Sequence, residues 1–288
     1  MNIKFIMCQP AVYRFEWELE VCLTRLLKLG IKDIILLFSK HNSKIPIYLK
    51  KKYGVEVHEY EDLRRDKNYI PSIKPYLWAK FLQEDRTREN ETYFYIDSDV
   101  IFREIPIVQP DSDVWYGSDC KSYLSVEYID SKGDGLLENM CRVIGIDPKV
   151  IRDQNPVAGA QWVIKNPTFE YWLKVYEDSV KLYRYLNSLA NSSIQKWTAE
   201  MWAQLWNVYH FGKTTEIHKD LEFCWATDNV ERYSETKIYH NAGVIDDRQG
   251  LFFKGKYTYK SPFKDDLSFV NQEKASIRYV EALGEVEG

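Results

Sequence analysis

The stretch Tyr93-Phe94-Tyr95-Ile96-Asp97-Ser98-Asp99-Val100-Ile101-Phe102 constrains this chain more than any other. Its aromatic and β-branched residues predict a buried strand, and it carries two carboxylates, one serine apart, between apolar neighbours. Carboxylates placed there are costly unless paired, so a cation belongs beside them. Hard oxygen ligands suit Mg²⁺ or Mn²⁺, and a divalent ion in that position would in turn hold the phosphates of a nucleotide. An arbitrary Asp-x-Asp more often serves as a cap or turn acid. What precedes the pair shifts the reading towards a ligand site.

Ile3 to Cys8 reads as a first strand, broken by Gln9-Pro10. Apolar residues at helical spacing follow, Phe15, Leu19, Cys22, Leu23, Leu26 and Leu27, closed by Gly30. Asp33 to Ser39 is almost wholly apolar, as strands covered on both faces are. A helical piece over Ile47 to Tyr53, a strand over Val55 to Tyr60 and a charged loop from Asp62 to Tyr69 come next. A helix over Ser72 to Leu82 has Ser72 as its cap and proline in its first turn. The alternation predicts an α/β chain with a central, mostly parallel sheet flanked by helices. The acidic pair lies on the fourth strand, at the carboxyl edge where open α/β sheets bind ligands.

Beyond it, Asp113 to Gly117 predicts a strand, and Gly117 to Gly135 shows no periodicity and reads as a loop or lid. Leu136 to Ile144 suggests a helix. Asn155 to Lys165 suggests a strand whose small residues around Gly159 let backbone or ligand come close. A long aromatic-striped helix is expected over Phe169 to Leu189, and a second over Thr198 to Trp206 with Glu200 in its first turn. Ile238 to His240 reads as a strand. The chain then ends in a polar tail, 266–288, whose acidic end from Asn271 to Gly288 is expected to be partly disordered. One catalytic domain over 1–265 is the expected organisation, with a nucleotide-binding half, 1–117, and an acceptor-binding half, 118–265.

Composition narrows the partners. With 39 Lys and Arg against 43 Asp and Glu, the formal charge of -4 gives no basic field, which disfavours nucleic acid. The five cysteines are odd in number, scattered and without zinc-binding spacing, so reduced thiols and a cytoplasmic location are expected. The apolar run at the N-terminus is too short for a signal peptide, and no stretch of about 18 apolar residues predicts a transmembrane segment. Oligomeric state is open. The 9 Trp, 21 Tyr and 13 Phe read mostly as core, although such a surplus also suits stacking on sugar rings or nucleobases.

The order of these features resembles that of GT-A-fold, Rossmann-like glycosyltransferases, which move a sugar from a nucleotide diphosphate donor with a metal held by Asp-x-Asp. His240-Asn241-Ala242-Gly243 followed by Lys254 and Lys256 resembles the His-x-x-Gly-x-x-Lys ending of the retaining type that includes glycogenin and bacterial galactosyltransferases. The lysine spacing is longer here. The resemblance spans roughly Lys4 to Phe263 and implies roles residue by residue. Asp99 and His240 would bind Mn²⁺ or Mg²⁺, with Asp97 shared between metal and donor. Gln9, Pro10 and Ala11 would line the nucleobase pocket, and Lys74 would face the donor. Gly243 would allow close backbone approach, and Lys254 and Lys256 would meet the leaving diphosphate. Glu200 would act as acceptor-side base or charge stabiliser, and Gln161 would face the donor sugar. Asp119 is a further acceptor-side candidate. A UDP-sugar donor and a hydroxyl-bearing acceptor, whether glycan, protein or small molecule, are the implied partners.

Bland roles compete for several of these residues. His240 could be a satisfied core histidine, Lys74 a solvated helix-end lysine, and Glu200 a complement to its helix dipole. A different chemistry also fits the strand: a haloacid-dehalogenase-type phosphatase would use Asp97 as nucleophile and Asp246-Asp247 as its later acidic pair. That nucleophile normally lies near the N-terminus, and Val100 stands here where glycine is common. A non-catalytic carbohydrate-binding protein would explain the aromatics but not a metal motif on a buried strand.

Overall fold

A computed structural model of the chain describes residues 3–286. Met1, Asn2, Glu287 and Gly288, and with them the extremes of the expected N-terminal run and C-terminal tail, lie outside the described residues. The first elements are β1 (Lys4–Pro10), α1 (Tyr13–Lys28), β2 (Ile34–Ser39), α2 (Lys44–Tyr53) and β3 (Glu56–Tyr60). They are followed by α3 (Ile73–Glu84), β4 (Thr92–Tyr95), β5 (Val100–Phe102) and β6 (Val114–Asp119). Then come α4 (Lys121–Leu124), α5 (Val126–Asp130), α6 (Leu136–Ile144), α7 (Pro148–Gln154), β7 (Ala158–Lys165), α8 (Phe169–Ser188) and α9 (Ala199–His210). The chain closes with β8 (Thr214–Ile217), β9 (Phe223–Trp225), α10 (Arg232–Glu235), β10 (Ile238–His240) and α11 (Ser276–Leu283).

The expected α/β architecture is present, with strands paired into sheets alongside helices. The pairing is mixed in direction, because β7 runs antiparallel to both β4 and β6. By contacts the chain forms two compact units, and neither is a continuous stretch. One comprises Phe5–Glu59, Ile96–Ile107 and the chain from Lys219 onward; the other is built mainly from Tyr60–Tyr95 and Val108–His218. A boundary at 117/118 therefore coincides with the limit of neither unit.

The first of these units holds the strands β3-β2-β1 in that order and the small sheet β5-β10-β9. All six residues of β2 are buried, which its unbroken apolar run requires. β1 and β2 pair in parallel, with Phe5 opposite Ile34 and Cys8 opposite Leu37, so α1 is the crossover of a βαβ unit. β1 continues through Gln9 and Pro10 instead of breaking there, and Pro10 still finds a register partner in Ser39. In the small sheet β10 lies antiparallel to β5 and parallel to β9.

The tail reading needs correction. The polar segment from 266 carries α11, whose Ile277, Tyr279, Ala282 and Leu283 join Trp17 and Val21 of α1, Ile101 of β5 and Tyr239 of β10 in one buried core. Full burial of a side chain of this size contributes about 1.5–3 kcal/mol, and several such side chains together offset much of the ordering cost of the helix, about 1–2 kcal/mol per residue. The apolar residues, spaced as Ile277, Val280 and Ala282-Leu283, were diluted in sequence by Arg278, Glu281 and the acidic end.

The second unit holds β4-β7-β6-β8 in that order. Most of the aromatic surplus is spent here as core. Trp78 of α3 stacks on Trp172 of α8 at 4.8 Å with planes 4° apart, and Tyr95 of β4 meets both rings edge-on. Gly159 of β7 is required by close approach: a Cβ there would lie 2.8 Å from both Cys120 Sγ and Leu124 Cδ1. The register of β6 on β7 shifts between Gly117 and Ser118, and opposite this bulge Ala160 takes a left-handed φ of 56°.

Two local expectations are revised. The region from Gly117 to Gly135 contains α4 and α5, and the Ser125 hydroxyl accepts the Tyr128 N–H at 3.1 Å to start α5. α7 is an addition, begun by Asp147 as cap and Pro148 in the first turn. Ser72 does not cap α3; its hydroxyl donates to Tyr69 O at 2.7 Å and accepts from Arg64 at 2.8 Å. Among the described residues no helix is long and apolar enough to cross a membrane.

Candidate metal and nucleotide site

The expected continuous strand is two short ones. β4 ends at Tyr95, β5 begins at Val100 in the other sheet, and Ile96-Asp97-Ser98-Asp99 form the turn between them. Two backbone bonds hold this turn: Ile96 N–H to Ile6 O at 3.2 Å and Asn241 N–H to Asp99 O at 3.0 Å. The second ties the turn directly to the residue after His240.

β10 supplies the third member. His240 stands opposite Val100 on one side and Trp225 on the other, and its ring lies parallel to the Trp225 indole, 8° apart in plane at 6.2 Å. This aromatic wall leaves His240 only 9% exposed and turns Nε2 towards the acids, 3.3 Å from Asp99 Oδ1 and 3.9 Å from Asp97 Oδ2. One donor atom from each of Asp97, Asp99 and His240 can be chosen so that all lie within 4.8 Å of one another. Two carboxylate oxygens and an imidazole nitrogen are a donor set that Mn²⁺ accepts readily and Mg²⁺ tolerates.

The two acids differ in their surroundings. Asp99 is 4% exposed and Asp97 is half-buried. Lys254 donates to Asp99 Oδ2, so the buried carboxylate has a protein cation of its own. Burial works to raise the Asp99 pKa, yet the Lys254 ammonium and His240 outweigh it and hold the group well below the ordinary carboxylate range. Asp99 is thus an anion at neutral pH, as a metal ligand must be.

Gly243 follows with φ 87°, a left-handed conformation that a side chain would strain, where the chain turns away from β10. Lys256 is not brought to the acids; its ammonium lies over the rings of Tyr257 and Phe269. Gln9, at the end of β1, is 1% exposed; its amide donates to Leu37 O at 3.2 Å, while its Oε1 has no partner. Ala11 beside it is fully buried, its N–H donating to Ser39 O at 3.0 Å.

The remaining expected residues belong to the other unit. Glu200 is buried at the start of α9, its N–H donating to Tyr69 Oη at 2.7 Å. Gln161 is fully buried on β7 and its Oε1 accepts the Ser118 hydroxyl at 2.6 Å. Lys74 is half-buried in the first turn of α3. Asp119 ends β6 and accepts the Lys121 N–H at 2.8 Å, the part of a turn acid.

Sequence reasoning missed Glu18 and Arg14. Glu18 is 0% exposed on α1; Arg14 Nε donates to its Oε1 and the Ser98 hydroxyl to its Oε2, each at 2.7 Å. Its position was a signal: Glu18 falls between Phe15 and Cys22 on the apolar face of α1, where an acid without a function is rarely kept.

No family model and no curated protein matches the chain. Its fold is similar to solved structures of glycosyltransferases. The galactosyltransferase LgtC in complex with donor and acceptor sugar analogues superposes with a TM-score of 0.52 at 11% identity, covering 100% of this chain and 97% of that one. The bifunctional glycosyltransferase WbbM, in its apo structure, superposes with a TM-score of 0.51 at 9% identity, covering 99% of this chain and 50% of that one. The chain thus spans half the length of WbbM and nearly all of LgtC. At such identities the likeness is one of fold.

Proposed function

We propose that this chain is a metal-dependent GT-A glycosyltransferase that moves a hexosyl group from a nucleotide diphosphate donor, a UDP-sugar by preference, to a hydroxyl acceptor with retention at the anomeric carbon. The observation that carries the reading is the convergence of Asp97, Asp99 and His240 beside Lys254, in a chain whose fold is similar to that of glycosyltransferases. The fold likeness favours this over a phosphatase. Asp246, the partner that a phosphatase would need near Asp97, is paired with Arg248 in a turn of its own.

A divalent ion held by Asp97, Asp99 and His240 would supply positive charge where the leaving diphosphate gathers negative charge. Lys254 adds a second cation at the same place, where it could exchange Asp99 for a phosphate oxygen. Gln9 is suited to hold a nucleobase, since its buried Oε1 lacks a donor that a base N–H would provide. Pro10 and Ala11 are assigned to the same nucleobase pocket. Gln161 is assigned to the donor sugar and Glu200 to the acceptor side or to developing positive charge at the sugar. In a retaining reaction the acceptor proton can pass to the departing phosphate. The halves 1–117 and 118–265 are taken as nucleotide-binding and acceptor-binding, respectively.

Calorimetry with UDP and GDP, each with and without Mn²⁺, tests the reading. Metal-dependent binding of either nucleotide that disappears in Asp99→Ala supports it. Absence of nucleotide binding, together with hydrolysis of a generic phosphate ester that requires Asp97, replaces it with the phosphatase.

A further inference from the structure

The turn that carries the two acids belongs to no ladder over its own length, since β4 stops before it and β5 starts after it. Its middle residue, Ser98, is 5% exposed, and its hydroxyl is held by a carboxylate of α1 rather than by solvent. That carboxylate, Glu18, is fully buried, with Arg14 one helical turn earlier on its other oxygen. An ion pair with one member fully buried and the other part-exposed adds little net stability, because an apolar side chain of similar size in the buried place is often as good or better. What an apolar side chain could not do is fix the hydroxyl of Ser98. Fixing that hydroxyl fixes the rotation of the turn, and with it the direction in which the neighbours on either side project.

We propose that Glu18, held by Arg14, is a positioning residue that grips Ser98 and thereby sets Asp97 and Asp99 in register with His240. The inference rests on the reading of those three as ligands of a divalent ion. It extends the ligand set inward: outer partners of this kind direct the ligands and change metal affinity by about 10–100-fold when removed. Arg14 in turn limits the freedom of Glu18, since its Nε donates to Oε1 at 2.7 Å.

The test is Mn²⁺ binding to the full chain, measured by calorimetry without nucleotide and again with UDP, beside the melting temperature of the ion-free protein. Ser98→Ala should weaken Mn²⁺ binding about 10–100-fold while leaving the ion-free melting temperature within about 2 °C of the original. Glu18→Gln keeps an oxygen for Ser98 and should bind Mn²⁺ within about threefold, whereas Glu18→Leu should match Ser98→Ala, and the double variant should be no worse than either. Wild-type affinity in Ser98→Ala overturns the proposal, as does additivity in the double variant or a collapse of the melting temperature in Ser98→Ala. If Glu18→Leu does not fold, Ser98→Ala against Glu18→Gln decides. If the wild type binds no Mn²⁺ with or without UDP, the metal reading itself falls and this inference with it; normal wild-type binding with an unaffected Ser98→Ala sinks the positioning role alone.

Discussion

Lys254 and Asp99 form an ion pair across 155 residues of sequence, with the lysine ammonium on Oδ2 and His240 Nε2 3.3 Å from Oδ1 of the same carboxylate. A protein cation thus already stands against the ligand that a metal would use. With a divalent ion bound as proposed, two positive charges would compete for one carboxylate, and a diphosphate would relieve the competition by accepting the lysine.

Lys254→Met separates these roles. With the competing ammonium gone, Mn²⁺ alone should bind at least as tightly as in the wild type. UDP in the presence of Mn²⁺ should bind about 10–150-fold more weakly, since a charge-assisted hydrogen bond is worth about 1.5–3 kcal/mol. Calorimetric titrations of both ligands check the opposite signs, and weakening of both would rule out the exchange.

The depressed pKa of Asp99 makes stability depend on pH with a definite sign. A carboxylate whose folded pKa lies below its unfolded value of about 3.9 stabilises the fold above that value and ceases to do so as pH falls through the folded pKa. The stability difference between wild type and Asp99→Asn should be full at neutral pH and shrink below about pH 4. Urea melts of both proteins across that range would show it. A constant difference would mean that Asp99 is not the titrating group.

None of the five cysteines is in a disulfide and all are buried, and burial pushes the thiols of Cys120, Cys141 and Cys224 up to about 12. Thiolate fractions at pH 8 are then negligible. Ellman's reagent should find essentially no thiol in the native protein over minutes and five in denaturant. Rapid labelling of the native chain would contradict the burial.

Removal of residues 266–288 strips Ile277, Tyr279 and Leu283 from the core that includes Trp17 and Tyr239. Loss of even one large buried aromatic costs about 3–5 kcal/mol, so the shortened chain should be unfolded or aggregated under conditions where the whole chain is native. Circular dichroism and gel filtration report this. A well-folded truncated protein would restore the view of this segment as a dispensable tail.

Gly159→Ala places a methyl 2.8 Å from Cys120 Sγ and Leu124 Cδ1 and 3.1 Å from Met201 Cε. Overpacking of this kind costs about 1–3 kcal/mol. A denaturant midpoint lowered by that amount is expected, and an unchanged midpoint would show that α4 yields freely.

Much of the frame was legible in the chain itself. The apolar runs of β1 and β2, the helical spacing of α1 and α8, and the acidic pair followed by His240 are local patterns, and period and residue type suffice to read them. They determined an α/β chain with a candidate metal motif. Other features depended on contacts between distant residues. Whether Tyr93 to Phe102 is one strand or two was decided by competition between two sheets for its ends, and nothing within the stretch records that. Whether the polar C-terminal segment folds was decided by the apolar core around Trp17 and Val21 of α1 that it joins. Lys254, and not Lys256, reaches the acids because a short turn points one lysine inward and the other over Tyr257 and Phe269. Glu18 was visible as an acid on an apolar helix face, but its partner Ser98 lies 80 residues away. A buried charge announces in sequence that it needs a partner; only the tertiary structure, by bringing remote groups into a low-dielectric interior, decides which one it has.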